Sequence, residues 1–541
     1  MKHKKILALA LAVLLLVGTF AACGNNQQAA TPAETPEGGQ QQAAPPAETE
    51  TGELKEFVVR IMGDPFSLTP NHMLDEFGAD IHDNLFSKLV KLDANNEVIP
   101  DLAYRWEYSD DMETLTFRLH QNAYWHDGTP VTSADVKYTF DTIAATPHYF
   151  FSAQMGIVDE IETPDDHTVI FHLNTPDASF VAFLGWIETH ILPRHIFDIG
   201  MPWGDNPVSA HPIGSGAFMF YSYDEGQSVV LVRNPNYFGG PVPLDRLIFA
   251  VIPDEATAVQ ALLSGEIDHM REVPMGSLAE LEAHPHLNVQ FADVPAPARI
   301  VFNFEDELAG NPAVRRAIAY AMNRQQISNM AYFGVFAPEY TMYPSAVAWA
   351  SNPAATAPSF NTERAIEILE EAGFTRDADG YFFDFSLDYF PMLTGATEIV
   401  QLLQAQLSAA GIRLEILSLE IMAYIMRAEG GEFQAHLISG FLGPDPSAFV
   451  ARFGEGQAVN FGNYANAEFD NYIRQGNAIA DQARRATYYW AAQEIMAEEL
   501  PHLPIVAWVN IEVTWDHFTN LPTEGAGRWG WTEFSHTDLA G

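Results

Sequence analysis

Apolar residues recur along this chain at two alternating spacings, one helical and one strand-like, and that alternation predicts a mixed α/β protein. Ile81, Leu85 and Leu89 fall at i, i+4 and i+8, which predicts an amphipathic helix over 80–91. Leu115, Phe117 and Leu119 alternate with Thr116 and Arg118 as in a half-buried strand, and His126-Asp127-Gly128-Thr129-Pro130 supplies turn chemistry. Thr132 and Asp135 then have capping-box spacing ahead of Val136, Phe140 and Ile143, so a helix follows until Thr146-Pro147 stops it.

The same reading extends over most of the chain. Residues 57–62 read as a strand broken by Gly63-Asp64-Pro65, and residues 168–173 as another. A helix over 255–264 has Asp254 as N-cap and Gly265 as its stop, with Ile267 opening the next strand. Asn311 caps a helix whose first residue is Pro312. One helix runs from Thr362 to Gly373; the stripe Ile399, Leu402, Leu403, Leu407 and Ala410 marks another that ends at Gly411, before a strand over 412–416.

At 541 residues the chain exceeds a single core, so at least two lobes are expected, with room for a cleft between them. Hydrophobic content of 48% with 10 Trp and 36 Phe implies packed structure. The formal net charge of -44 disfavours nucleic acid or an anionic bilayer surface as a ligand.

The one cysteine, Cys23, follows a basic start (Met1 to Lys5) and an apolar run over 6–17 that is too short for an ordinary membrane span. Residues 1–22 therefore read as an export signal. Phe20-Ala21-Ala22-Cys23-Gly24 resembles a lipobox, with Phe20 where leucine is usual. A diacylglyceryl thioether on Cys23 would supply two acyl chains, enough for stable anchoring. Residues 23–52 hold no large apolar side chain and read as a disordered tether. A single cysteine excludes an intramolecular disulfide and any Cys-rich metal site.

The wording of the opening block is more specific than its pattern. NLFSKLVKLD followed by VIPDLAYRWEYSDDMETLTFRLHQNAYWHDGTPVTSADVKYTF resembles the family 5 solute-binding proteins of bacterial peptide-type ABC importers. The resemblance continues through Gly214-Ser215-Gly216, RNPNYF, ALLSGEIDH, NPAVRRAI, AEFDNYI and LPHLPIVAWV, covering most of residues 57–509. It implies a two-lobed periplasmic-binding-protein-like α/β fold, class II in type, with an extra subdomain. Lobe I is expected over 53–75, 211–297 and 505–541, the subdomain over 76–210 and lobe II over 298–504, with hinge crossings near Ala298 and Pro504. Gly214 and Gly216 make no dinucleotide loop, since the third glycine is missing and a strand follows; their expected role is backbone freedom in a turn.

The resemblance also implies where a ligand would sit. The loop holding Asn71 and His72 matches one that lines the family's cleft. Peptide-binding members hold the ligand's amine with a carboxylate on the segment matching SGFLGPDPSAF, and dipeptide specialists add an arginine for the carboxylate end. Here Phe441 and Leu442 stand at the first position and Phe390 to Met392 at the second, so both charged clamps are missing and Asp445 is the remaining candidate for an amine. The expected ligand is a longer or hydrophobic peptide paired through its backbone, and the expected partners are a permease and an ATPase.

A monomer is expected, anchored outside the cytoplasm, with no cofactor and no resident metal. Two other readings stay open: the same transport role for a nickel chelate, sugar or other solute, and a secreted hydrolase. The histidines are scattered, and HExxH, GxSxG and a Gly-Lys phosphate loop are all absent.

Overall fold

The structure, a computed structural model, describes residues 54–541 except 71–76, 94–96, 147–150, 153, 187–188, 201–202, 204–205, 207–209, 441, 444, 458, 523–532 and 541. The leader, Cys23 and the whole polar segment over 23–52 lie outside the described residues.

Ten strands form one continuous sheet: Ile412–Ser418, Phe383–Tyr389, Ala435–Ile438, Leu287–Phe302, His502–Trp515, His269–Arg271, Glu56–Ile61, Arg246–Val251, Ser228–Arg233 and Phe218–Asp224, in that order. Two long members at its centre, Leu287–Phe302 and His502–Trp515, pair antiparallel over almost their whole length. Their register breaks between Val294 and Ala298 and again between Ala298 and Arg299. Three strands lie on one side of this pair and five on the other, the arrangement of a two-lobed protein whose halves share two strands.

Two core clusters meet at the same break, the first reaching past it to Leu287, Ile511 and Val513. Ala298 and Ile300 pack with Ile318, Leu403 and Leu503, whereas Val294 and Ala296 belong to a second cluster with Phe57, Phe117 and Phe249. That second cluster reaches a four-stranded antiparallel sheet, Ala103–Tyr108, Thr114–Leu119, Thr168–Leu173 and Val158–Asp165. The helix Ser133–Ala145 packs on it, with Phe140 and Phe171 edge to face at 5.6 Å.

Local chemistry explains the element ends. Asp135 accepts the Thr132 backbone N–H at 2.8 Å, Asp254 accepts from Thr257 at 2.8 Å, and Asn311 accepts from Ala313 at 2.9 Å with Pro312 leading the helix. Gly373 and Gly411, just past the helices Thr362–Glu371 and Ala396–Ala409, take φ of +88° and +81°.

The helix expected over 80–91 is shorter: it spans Gly78–Leu85, and Val90–Leu92 is a strand paired with Val98–Pro100. Asp101 takes the Lys88 N–H at 2.7 Å and Ala103 donates to the Leu89 carbonyl at 2.9 Å, so a neighbouring segment claims the backbone that would have continued the helix. Leu89 is still fully buried. The strand expected at Ile267 begins at His269; Ile267 itself is core.

Gly214 and Gly216 need no left-handed backbone. A Cβ on Gly214 would lie 1.8 Å from the Leu85 carbonyl oxygen, and one on Gly216 2.5 Å from that of Asn84. Their role is close approach. His126 from the WHDGTP turn holds the segment: its Nδ1 accepts the Gly214 N–H at 3.1 Å and its Nε2 faces the Gly216 carbonyl at 3.2 Å. Burial lowers this imidazole to about 4, so the ring is neutral, with its proton on Nε2.

Candidate functional site: the interlobe seam

At the register break the long strand Leu287–Phe302 loses its ladder, and its carbonyls are taken by the segment after Ala435–Ile438. Ser439 Oγ donates to the Ala296 carbonyl at 3.0 Å and the Leu442 N–H to that of Pro295 at 3.0 Å. This ties Ser439 and Leu442 to the long strand at its register break. Gly440 and Gly443 of the segment have φ of +145° and +105°, a backbone path that side chains resist.

Beside the segment lies an aromatic stack. Phe390 meets Tyr424 edge to face at 5.2 Å, Tyr424 stacks on His436 at 5.5 Å, and Phe433 also stacks on His436 at 4.6 Å, 3° from parallel. Arg299, 2% exposed, adjoins this group from the strand Leu287–Phe302. Burial and then the nearby Arg452 lower its guanidinium to about 9. His436 and His502 are each lowered to about 3, first by burial and then by Arg299.

Farther along, a second polar group joins the two sides of the seam. Asp445, 6% exposed, accepts from Arg485 at 2.7 Å and from the Ser447 N–H at 3.0 Å. Arg485 also donates to the Tyr489 hydroxyl at 2.6 Å, which donates to Asn477 at 3.0 Å. The turn 174–180 of the four-stranded unit closes against this set: Ser447 Oγ donates to Ser179 Oγ at 2.8 Å, and the Ala178 N–H to the Asn477 carbonyl at 2.7 Å. Asp177 on that turn is raised to about 6 by burial, with the Asp445 charge adding to the effect.

The expected site residues are therefore spread over this seam. Leu442 is 1% exposed, its backbone N–H on the Pro295 carbonyl. Asp445 is paired with Arg485, Phe390 joins the aromatic stack, and Met392, two residues further along the chain, stands 86% exposed. Asn71, His72 and Phe441 lie outside the described residues. Arg299, Tyr424, His436 and Arg485 were not anticipated. The one signal in the sequence was an arginine inside the apolar run PAPARIVF, where a charge must find a partner or a purpose.

A hollow of about 400 Å³ lies elsewhere, lined by Asn303, Glu305, Asp306, Ser386 and Gln434. Asp306 there is occupied with the Leu308 and Ala309 N–H groups, so the hollow belongs to loop structure. Among the described residues no three His, Cys, Asp or Glu side chains are grouped to hold a metal ion, and no helix is long and apolar enough to cross a membrane.

Comparison with known proteins places this geometry. Residues 97–461 match the family model "Bacterial extracellular solute-binding proteins, family 5 Middle". The dipeptide-binding protein of Escherichia coli K12 is 26% identical over 453 residues, 78% of this chain and 83% of that one. Heme-binding protein A of Haemophilus influenzae is 26% identical over 450 residues, covering 78% and 81%. The oligopeptide-binding protein AppA of Bacillus subtilis, solved with a nonapeptide, superposes with a TM-score of 0.76 at 24% identity, covering 90% of this chain and 100% of that one.

Proposed function

Because this chain belongs to the bacterial extracellular solute-binding proteins of family 5, we propose that it captures peptides between its lobes for an ABC importer, whose permease and ATPase then move them inward. The family consists of binding proteins, not enzymes. The observation that carries the reading is the shared pair of long strands with its register break at the hinge, beside a relative named for dipeptide binding. Two crossings allow hinge bending without breaking the sheet, and a solute that touches both lobes shifts the population toward closure by its extra contacts there.

The lobes in this reading are 53–75, 211–297 and 505–541 against 298–504, with 76–210 as the added subdomain. The ligand lies along 439–442 as an added strand, near Asn71 and His72, Phe390 and Met392, and Phe441, Leu442 and Asp445. The aromatic stack beside that segment favours longer or hydrophobic peptides. Cys23 carries the lipid that anchors the receptor outside the cytoplasm, and a Cys23→Ser variant is expected to leave the membrane fraction for the soluble one.

Native mass spectrometry of the purified protein tests the ligand. A ladder of peptide masses is the expected result; a single non-peptide mass would move the assignment to another solute. The heme-binding relative, equal in identity to the dipeptide binder, is the specific reason to keep that second reading.

A further inference from the structure

Arg299 has neither a carboxylate partner nor an acceptor for its Nε among the described residues, whereas Arg324 and Arg485, each with one buried nitrogen unpartnered, have one or the other. The Arg299 Nη1 donates to the carbonyls of Pro297 at 3.2 Å and Gly440 at 3.3 Å. Its Nε is buried with no acceptor, and Nη2 makes no hydrogen bond either. The vacant edge is therefore Nε–Nη2, one that can grip a carboxylate with two parallel bonds. Among the described residues Arg299 has no carboxylate at ion-pair distance, although the chain holds 71 acidic residues against 27 basic ones.

Other buried arginines show what a purely structural role looks like here. Arg315 spends its Nε on the Glu499 carbonyl at 2.8 Å, and Arg324 on that of Pro504 at 2.7 Å. Arg485 and Arg271 have carboxylate partners. Arg299 has neither.

Its surroundings are cationic or neutral. Arg452 lies close enough to lower its pKa, His436 and His502 both respond to its charge, and the Tyr424 hydroxyl is committed to the Leu437 carbonyl at 3.0 Å. Burying a cation in such company is costly unless an anion joins it. The Gly440 carbonyl places the guanidinium against the segment along which the peptide is proposed to lie.

We infer that the Nε–Nη2 edge of Arg299 receives a carboxylate of the bound peptide. This rests on the peptide-capture reading above, and it supplies from the hinge strand the cation that is missing from the loop at Phe390 to Met392. The carboxylate can be the C-terminus or an acidic side chain.

The test uses pools of three- to nine-residue peptides incubated with the whole protein after refolding free of bound solute, with retained peptides measured by mass spectrometry. One pool lacks Asp and Glu and is a free acid, one is its C-terminal amide, and one is an amide pool containing Asp and Glu. Retention of the free acid at least tenfold above the plain amide assigns the C-terminus; retention of the acidic amide pool instead assigns a side chain. In either case Arg299→Gln should abolish the preference and Arg299→Lys restore part of it, the preference being read as the ratio of acidic to plain-amide retention within each protein. Reading the ratio within each protein, with circular dichroism of each variant, separates lost recognition from lost folding. Equal retention of all pools by the wild type overturns the inference and leaves peptide capture standing. Retention of none overturns both.

Discussion

Replacing Arg485 by methionine removes the cation that faces Asp445 while keeping most of the volume packed against Trp349 and Tyr489. The guanidinium lies 5.5 and 5.3 Å from those two rings, and Arg485 and Asp445 are 7% and 6% exposed. Without it, the Asp445 carboxylate keeps the Ser447 N–H as its one remaining donor among the described residues. Breaking a buried pair in this way costs about 3–5 kcal/mol, since one charge stays buried and uncompensated. At roughly 2.1 cal/mol/K per residue, the roughly 450 described residues give an unfolding entropy near 1 kcal/mol/K, so the melting temperature should fall by about 3–5 °C. Differential scanning calorimetry on protein refolded free of bound solute measures this without ligand linkage. The companion measurement is a cycle with Asp445→Asn. The double variant should be less destabilised than the sum of the singles by about 2 kcal/mol, because removing both charges removes the orphan. A shift for Arg485→Met below about 1 °C, or strict additivity in the cycle, would show that the pair is not the buried, mutually dependent unit described.

Three further outcomes follow from the same geometry. Asp177 is raised to about 6 by burial, so its contribution to stability is full below the unfolded value of about 3.9 and is lost as pH rises through 6; Asp177→Asn should flatten the melting-temperature profile between pH 4 and 7 and stabilise the protein at pH 7.5 by about 1–3 kcal/mol. Lys91 bonds Glu533 and lies 3.2 Å from Asp101, both acids buried, so Lys91→Met should cost about 3–5 kcal/mol; the loss should be smaller at pH 5 than at pH 8 by chemical denaturation, as the abandoned carboxyls take up protons. Gly214→Ala would drive a Cβ to 1.8 Å from the Leu85 carbonyl; soluble yield and circular dichroism should show a loss above about 4 kcal/mol, whereas Gly226→Ala, with no neighbouring atom within 4 Å, should cost far less despite its positive φ.

Elements whose ends are set by nearby residues were legible in the chain. Asp254, Asn311 with Pro312, and the glycines at 373 and 411 act within one turn of themselves, so spacing alone locates them. The helix predicted through Lys91 failed because its continuation is decided by Asp101 and Ala103, which no local period reveals. Gly214 was legible as a special backbone position but not for the right reason, since the carbonyl it must clear belongs to Leu85. The site was harder still. Arg299 meets Gly440 across 141 residues and Ser447 meets Ser179 across 268, so their roles exist only once the two sides of the seam are brought together. Family resemblance pointed to the segment 439–445 but not to the cation beside it.

The central position of His502–Trp515 also governs how the molecule can be made. This strand comes last in the chain among the ten, yet it lies between Leu287–Phe302 and His269–Arg271, bonded to both. Until it is synthesised, the sheet has a gap at its middle, with two strand edges open to solvent or to another chain. Neither half of the sheet can be closed before residues 502–515 have been made, so a chain stopped before residue 502 should be a substrate for proteolysis and aggregation.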